Sequence, residues 1–140
     1  MIGGYLSVGQ KVSVRRLFTP EDLDAFAAVT GDDNPLHVSP EFARHTAFGR
    51  PIVHGLLTAS LFSYLLGTKL PGPGSIYLGQ MLKFTAPVFV GEEVTASVEV
   101  AEINTAKRTV RLVTQATTAR GVVLEGEAVI KMSRPLEPTA

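Results

Sequence analysis

The 140-residue chain contains no cysteine. Without thiols it can form neither disulfides nor Cys-ligated zinc and iron–sulfur sites, and it has no thiol nucleophile. This composition is what we expect of a cytoplasmic protein. An excess of charge is also absent, because 13 Lys and Arg balance 13 Asp and Glu to a net charge of 0. That balance argues against nucleic acid or an anionic membrane as the main partner.

Long apolar runs are absent as well. The longest apolar stretch, from Gly55 to Leu66, is interrupted by polar residues and is shorter than the roughly 20 residues that span a bilayer. The N-terminus has no basic region ahead of an apolar run, so we expect no signal peptide. We therefore expect no membrane partner and interpret the stretch as a buried core helix.

The length and composition that remain predict one globular domain. A chain of 140 residues that is 45% hydrophobic can bury a core of its own without disulfides or structural metal ions. We expect residues 1–134 to form that domain. The last residues, 135–140, include two prolines and are predicted to be a loose tail.

The order of predicted elements indicates the α+β class. A first strand, a helix and a second, short helix precede the apolar helix, and four antiparallel strands follow it. One apolar helix with a sheet curled around it is the packing this order predicts. An open sheet of about five strands leaves two edges, which dimerisation would cover. The predicted strands are 11–17, 76–84, 93–103, 108–118 and 122–132, and the predicted helices begin at Pro20, Pro40 and Gly55.

The segment Gly31-Asp32-Asp33-Asn34-Pro35-Leu36-His37 has the composition of a reactive loop. Asp32 and His37 lie five residues apart across a proline-stiffened loop that can present both to one cavity. A carboxylate and an imidazole together can hold a water, remove one proton and supply another. Gly55 opens the apolar helix, where an unpaired N–H and the helix dipole favour an oxyanion. These three parts suffice for proton transfer beside a carbonyl.

A plainer interpretation stays open for each residue. An Asp-x-Asn-Pro sequence is often only a turn, because Asp and Asn cap backbone groups and Pro fixes φ. We interpret His54 as a packing residue at the helix start, without a chemical role. The sequence has no His-x-x-x-His, EF-hand loop, phosphate loop or Gly-x-Ser-x-Gly, so no metal, phosphate-loop or serine-hydrolase site is predicted.

The spacing Phe26-x-x-Val29-Thr30-Gly31-Asp32-x-Asn34-Pro35-Leu36-His37 resembles the hydratase motif of the MaoC-like (R)-specific enoyl-CoA hydratases. Two later segments, 52–57 and 74–80, are similar to the same family. The resemblance implies a hotdog fold, which is a long central helix wrapped by an antiparallel sheet, and a homodimer. It also implies reversible hydration of a trans-2-enoyl-CoA to an (R)-3-hydroxyacyl-CoA, with no cofactor beyond the acyl-CoA thioester substrate and no metal.

Carried over residue by residue, the family resemblance makes Asp32 and His37 the catalytic pair that positions one water. Which of the two acts as acid and which as base stays open, since coupled groups share their titrations. The Gly55 N–H would hold the thioester oxygen. Ser63 would support Asp32, although a helix serine commonly bonds to its own backbone instead. Asn34 would shape the loop.

The remaining site residues are less specific. By resemblance the acyl pocket lies between the central helix and the last strand, with Leu66 and Val129 as candidates, yet both residue types are ordinary in a core. The CoA phosphates need local positive charge, which Arg44, Arg50, Lys69 or Lys83 could supply; each is equally typical of a solvated surface. We expect short-to-medium acyl chains and a role in supplying polyhydroxyalkanoate monomers from fatty-acid oxidation. The alternatives are a hotdog acyl-CoA thioesterase or a non-catalytic acyl-CoA-binding subunit.

Overall fold

Five antiparallel strands wrap one long helix in the computed structural model, which describes residues 6–136. The spatial order of the strands is β1-β3-β4-β5-β2, so β1 and β2 are the two edges. This arrangement confirms the predicted α+β class and the helix-in-sheet packing. The strands are β1 (Lys11–Leu17), β2 (Ser75–Phe84), β3 (Glu93–Asn104), β4 (Thr109–Thr118) and β5 (Gly121–Met132). The helices are α1 (Pro20–Thr30), α2 (Pro35–Val38), α3 (Pro40–Arg44) and α4 (Gly55–Thr68).

The core lies between α4 and the concave face of the sheet. Helix α4 buries Phe62 and Leu65 at its centre, with 0% and 1% of their surfaces exposed. Strand β3 buries every second residue from Val94 to Val100, as the alternating pattern predicts. Each large apolar side chain buried in this way contributes about 1.5–3 kcal/mol to folding. The buried apolar residues form one continuous cluster, so the described residues share a single core.

Helix α1 ends directly before the proposed reactive loop. Its start is a capping box: the Asp22 N–H donates to the Thr19 hydroxyl at 3.3 Å, and the Thr19 N–H donates to the Asp22 carboxylate at 2.9 Å. The Thr19 backbone bond is also the main reason that the pKa of Asp22 is lowered. At the other end Gly31 adopts φ 84°, which stops the helix and turns the chain toward Asp32.

The segment 32–38 is not entirely a loop. Residues Pro35–Val38 form the short helix α2, because the Asn34 side chain accepts the Leu36 N–H at 3.0 Å and Pro35 fits the first helical position. His37 therefore lies on a capped helical turn. Helix α4 also continues two residues beyond the predicted end at Leu66, to Thr68.

The structure describes the first two residues of the predicted loose tail. Pro135 is exposed, whereas Leu136 is only 8% exposed and belongs to the core cluster. The rest of the tail, residues 137–140, lies outside the described residues. Among residues 6–136, no helix is both long and apolar enough to cross a membrane.

Candidate active site

His37 is held in one orientation by a backbone carbonyl. Its Nδ1 lies 2.7 Å from the Ile52 carbonyl oxygen, fifteen residues along the chain. A carbonyl oxygen can only accept, so Nδ1 carries the hydrogen and donates it. In the neutral ring this leaves the lone pair on Nε2. His37 thus has the nitrogen that a water or a transferred proton needs.

His37 and Gly55 line the same cavity, which has a volume of about 350 Å³. Gly55 is the first residue of α4, and no side chain caps this helix start. Its N–H has no acceptor among residues 6–136 and is free to bind an oxygen at the positive end of the helix. The other lining residues are mainly apolar: Phe48, Ile52, Val53, Thr58, Phe84, Thr85, Ala86, Pro87, Val88, Val123 and Leu124.

Only glycine suits position 55 with this arrangement of the cavity wall. A Cβ at Gly55 would lie 2.6 Å from the nearest ring carbon of Phe84, which is closer than real carbon contacts. The Phe84 ring would have to move into the cavity or out of the wall. The absence of a side chain therefore keeps both the N–H accessible and the aromatic wall in place.

Asp32 lies beside the imidazoles at the exposed edge of the site. Its Oδ1 accepts the Asn34 N–H at 3.3 Å, and its own N–H donates to the Thr30 hydroxyl at 3.1 Å. Side-chain atoms of Asp32, His37 and His54 all lie within 4.8 Å of one another. The Asp-x-Asn-Pro sequence thus forms a turn, and the same turn places the Asp32 carboxylate next to His37. The interpretation as a turn and the interpretation as a reactive loop do not exclude each other.

His54 is the residue whose role in the site sequence reasoning missed. Its ring is 2% exposed and stacks on His37, with ring centroids 4.0 Å apart, and contacts Phe26 at 4.6 Å. Its Nε2 donates to the Asp32 carbonyl oxygen at 3.0 Å. Burial lowers the pKa of His54, which favours the neutral ring. The sequence signal was its place directly before Gly55, but nothing in the pattern showed which residues it would contact.

Asp32, His37 and His54 bring three possible ligand atoms within 4.8 Å of one another. The two imidazole rings are stacked, with planes inclined by 27°, and one nitrogen of each ring is bonded to a backbone carbonyl. Each ring therefore has one nitrogen left for a further contact. The geometry is suited to a carboxylate–imidazole pair that holds a water.

Ser63 and Asn34 lie at different distances from this centre. Asn34 caps α2 and so positions His37 through the backbone. Ser63 is exposed on α4, eight residues or about 12 Å along the helix from Gly55. Within residues 6–136 its hydroxyl bonds neither Asp32 nor the backbone, whereas the Ser60 hydroxyl donates to the Leu57 carbonyl oxygen. A contact between Ser63 and Asp32 does not exist inside one chain.

Neither of the two acyl-pocket candidates lines the cavity of His37 and Gly55. Alternation along β5 turns Val129 to the outer face, where it is 37% exposed, while its neighbour Ile130 is 1% exposed in the core. Leu66 is 1% exposed and lies about 16 Å along α4 from Gly55. Leu66 therefore belongs to the core and Val129 to the outer face of the sheet, so a single chain does not bring the two side chains together.

Comparison with known proteins gives a consistent family. Residues 6–122 match the model of the MaoC like domain. The chain is 55% identical over 128 residues to an (R)-specific enoyl-CoA hydratase from Aeromonas caviae, covering 91% of this chain and 96% of that protein. It is 45% identical over 132 residues to a 3-hydroxybutyryl-CoA dehydratase from Methylorubrum extorquens, covering 94% and 84%.

The structural comparison agrees with the sequence comparison. The solved (R)-hydratase from A. caviae, described as involved in PHA biosynthesis, superposes with a TM-score of 0.88 and covers 91% of this chain and 97% of that one. The five-stranded antiparallel sheet around a central helix is the hotdog fold of these hydratases. Together, the matched residues, the identities and the superposition show that this chain belongs to the MaoC-like family.

Proposed function

We propose that the protein is an (R)-specific enoyl-CoA hydratase, a hydro-lyase that reversibly converts a trans-2-enoyl-CoA and water into an (R)-3-hydroxyacyl-CoA. The observation that carries the proposal is the meeting of three groups at one cavity. The Gly55 N–H and His37 line it, and the Asp32 carboxylate lies beside the His37 ring. The identity to the A. caviae hydratase supports the same reaction.

The geometry accounts for the proton transfers. A water held between Asp32 and His37 Nε2 attacks C3 of the enoyl group, and one of the two groups takes its proton. The other delivers a proton to C2, so atoms and charge balance over the cycle. The negative charge that develops on the thioester oxygen is stabilised by the Gly55 N–H at the start of α4. Side chains and backbone supply every step, so the proposed reaction uses no cofactor.

We expect the substrates to have short-to-medium acyl chains. A cavity of about 350 Å³ is at the small end of the range for ligand sites. The A. caviae hydratase, which superposes on this chain, is involved in PHA biosynthesis, and we propose the same supply of polyhydroxyalkanoate monomers here. We further propose that residues 1–134 act as a single domain in the cytoplasm, with a homodimer as the working unit.

The dimer is proposed from the edge strand β2. Five large apolar residues on it are between 41% and 56% exposed: Ile76, Tyr77, Leu78, Met81 and Phe84. A long apolar edge of this kind pairs with another chain unless it is covered. Asp32 and Ser63 are both exposed in one chain, so we propose that Ser63 supports the Asp32 of the partner subunit.

The proposed function is tested with crotonyl-CoA and the purified protein, without added metal. We expect the absorbance of the conjugated thioester to fall and (R)-3-hydroxybutyryl-CoA to form. A thiol reagent in a parallel reaction would report thioesterase activity instead. Release of free CoA without hydration, or binding with no turnover of either kind, would contradict the proposal. Rates across a series of acyl lengths then test the expected preference for shorter chains.

A further inference from the structure

We propose that Arg50 binds a phosphate group of the nucleotide part of the CoA substrate, at the rim of the cavity that His37 and Gly55 line. The inference rests on the proposed function and deepens it. Sequence reasoning left four basic residues as equal candidates for this contact. Three structural observations separate Arg50 from the others: its position, the free edge of its guanidinium group and the absence of an ion pair within 4.0 Å among residues 6–136.

Arg50 is close to two segments that line the cavity, and we place it at the rim for this reason. It precedes the lining residue Ile52 by two residues, or at most about 7 Å of chain. Its guanidinium carbon lies 4.0 Å from the ring centroid of Phe89, which directly follows the lining residue Val88. Ile52 and Phe89 are joined by an isolated β-bridge, so the two segments that hold Arg50 are fixed to each other.

The stacked geometry leaves the donors of Arg50 available. A guanidinium group stacks through its flat face, whereas its five N–H donors point outward in its plane. Arg50 is exposed and forms no ion pair within 4.0 Å among residues 6–136. Phe89 therefore holds the side chain in place while its edge can form the paired hydrogen bonds that phosphate oxygens accept.

Arg120, whose guanidinium carbon lies 5.1 Å from the centroid of the Phe89 ring, is already occupied. Its Nε and terminal nitrogen donate to the two Glu92 carboxylate oxygens at 2.9 and 2.7 Å, and it also donates to the Pro87 carbonyl oxygen. Arg120 is the main reason that the pKa of Glu92 is lowered, and Arg50 contributes to the same shift. Glu92 in turn accepts the Phe89 N–H at 2.8 Å. The ion pair between Arg120 and Glu92 thus fixes the segment of Phe89. Since two arginines surround one carboxylate, this part of the surface keeps a net positive charge.

The other candidates are placed less well. Arg44 pairs with Glu41 on α3. Lys83 lies opposite Glu125 in the register of β2 and β5, on the exposed edge strand. Lys69 follows the end of α4, about 20 Å along the helix from Gly55. Each of the three is neutralised, faces an acid or lies far from the cavity.

The test compares two thioesters that share the crotonyl group: crotonyl-CoA and crotonyl-N-acetylcysteamine, which has no nucleotide. Both are measured with the wild type, Arg50→Gln, Arg50→Lys and the control Arg44→Gln, which changes an exposed arginine at the end of α3. We expect Arg50→Gln to raise the KM for crotonyl-CoA about tenfold, the scale of a lost charge-assisted hydrogen bond. Its kcat, and its kcat/KM for the truncated thioester, should stay at the wild-type values.

Two further results are expected and separate charge from shape. Arg50→Lys should recover part of the KM, because it keeps the charge and loses the paired donors. Added salt should raise the crotonyl-CoA KM of the wild type more than that of Arg50→Gln. The inference is overturned if Arg50→Gln affects both thioesters equally or neither. Failure of the wild type to hydrate either thioester would instead overturn the proposed function.

Discussion

Two crossed hydrogen bonds between side chains and backbone hold the proposed catalytic residues together. His37 donates to the carbonyl oxygen of Ile52, two residues before His54, and His54 donates to the carbonyl oxygen of Asp32, five residues before His37. Each histidine thus fixes the chain segment that carries the other. The stacked rings between them complete a small rigid unit at the start of α4. The positions of Asp32 and His37 therefore depend on hydrogen bonds to backbone carbonyls as much as on contacts between side chains.

Gly55→Ala should reduce kcat/KM for crotonyl-CoA at least tenfold. The added methyl would lie 2.6 Å from the Phe84 ring, so the ring must shift and the thioester oxygen is held farther from the Gly55 N–H. Steady-state kinetics measure the loss. Gly67→Ala is the control, because a Cβ at this position of α4 meets nothing within 4 Å. Equal kinetics for the two variants would contradict the oxyanion role of Gly55.

His54→Phe should lower kcat about tenfold and leave KM nearly unchanged. Phenylalanine keeps a stacked ring but loses the bond to the Asp32 carbonyl, so that carbonyl loses its partner and the loop carrying Asp32 loses an anchor. His54→Gln, which keeps a donor without the ring, should recover part of kcat. Wild-type kcat in His54→Phe would rule out the positioning role.

The same substitution changes how stability depends on pH. Burial lowers the folded-state pKa of His54 below its usual 6.5, so the unfolded chain binds the proton first as pH falls. This contribution is intact above 6.5 and is lost as pH falls through the lowered pKa, with a slope of at most about 1.4 kcal/mol per pH unit. Denaturant unfolding of His54→Phe should lack this part of the slope. The pKa values of Glu92 and Asp22 are also lowered, and these carboxyls change the slope only below their ordinary pKa values of 4.5 and 3.8.

Sequence spacing was sufficient to predict that Asp32, His37 and Gly55 lie close together, because each belongs to a short segment with a local reason for its conformation. It was insufficient for His54, whose position depends on burial and stacking against residues far along the chain. It named Leu66 and Val129 for one pocket, although Val129 lies on the exposed face, since a shift of one residue on a strand exchanges the buried and exposed faces. The local spacing of residues in the sequence does not predict tertiary contacts of this kind.

Among the helices, α2 shows how helix capping positions a residue of the proposed reactive loop. This single turn exists because Asn34 caps it and Pro35 starts it, and it carries His37 toward the cavity. The strands and the two longer helices were predictable from alternation, capping residues and apolar periodicity. The four-residue turn was not, because it is too short to show a helical period. The capping signal of Asn34 and Pro35 was the only local trace of it.

Asn34→Ala should cost about 1 kcal/mol of stability, the usual effect of losing an N-cap, and should also lower kcat. The loss of kcat follows because the capped turn orients His37. Thr19→Ala is the matched control: it removes the N-cap of α1 and should lower the melting temperature similarly with kcat unchanged. If Asn34→Ala behaved like Thr19→Ala in both measurements, Asn34 would be a structural cap alone.

For the whole molecule, the two sheet edges differ in character. Strand β1 carries Lys11, Arg15 and Arg16, and charges of one sign discourage pairing with another chain. Strand β2 has one charged residue, Lys83, among exposed apolar side chains. This asymmetry supports β2 as the edge for the proposed self-association. Sequence length and strand count predicted an open sheet, but only the strand order showed which edge is apolar.

A double substitution on β2, Leu78→Lys with Met81→Lys, should convert the proposed dimer into a monomer, because like charges of the two chains would face each other. Both side chains are more than half exposed in one chain, at 55% and 56%, and would place charges in the interface. Light scattering after gel filtration measures the mass. Val113→Lys, an exposed apolar position on β4 at 42%, is the control and should stay dimeric. A monomeric wild type would contradict the proposed interface.

The central claim is that Asp32 and His37 carry out the hydration together, and turnover of crotonyl-CoA by Asp32→Asn tests it most directly. Asparagine keeps the turn, because its side-chain oxygen can still accept the Asn34 N–H, but it cannot exchange a proton. We predict that kcat falls by about 10²–10⁴-fold, the usual contribution of general acid–base catalysis, while the melting temperature stays close to that of the wild type. Turnover by Asp32→Asn at the wild-type rate would contradict the account.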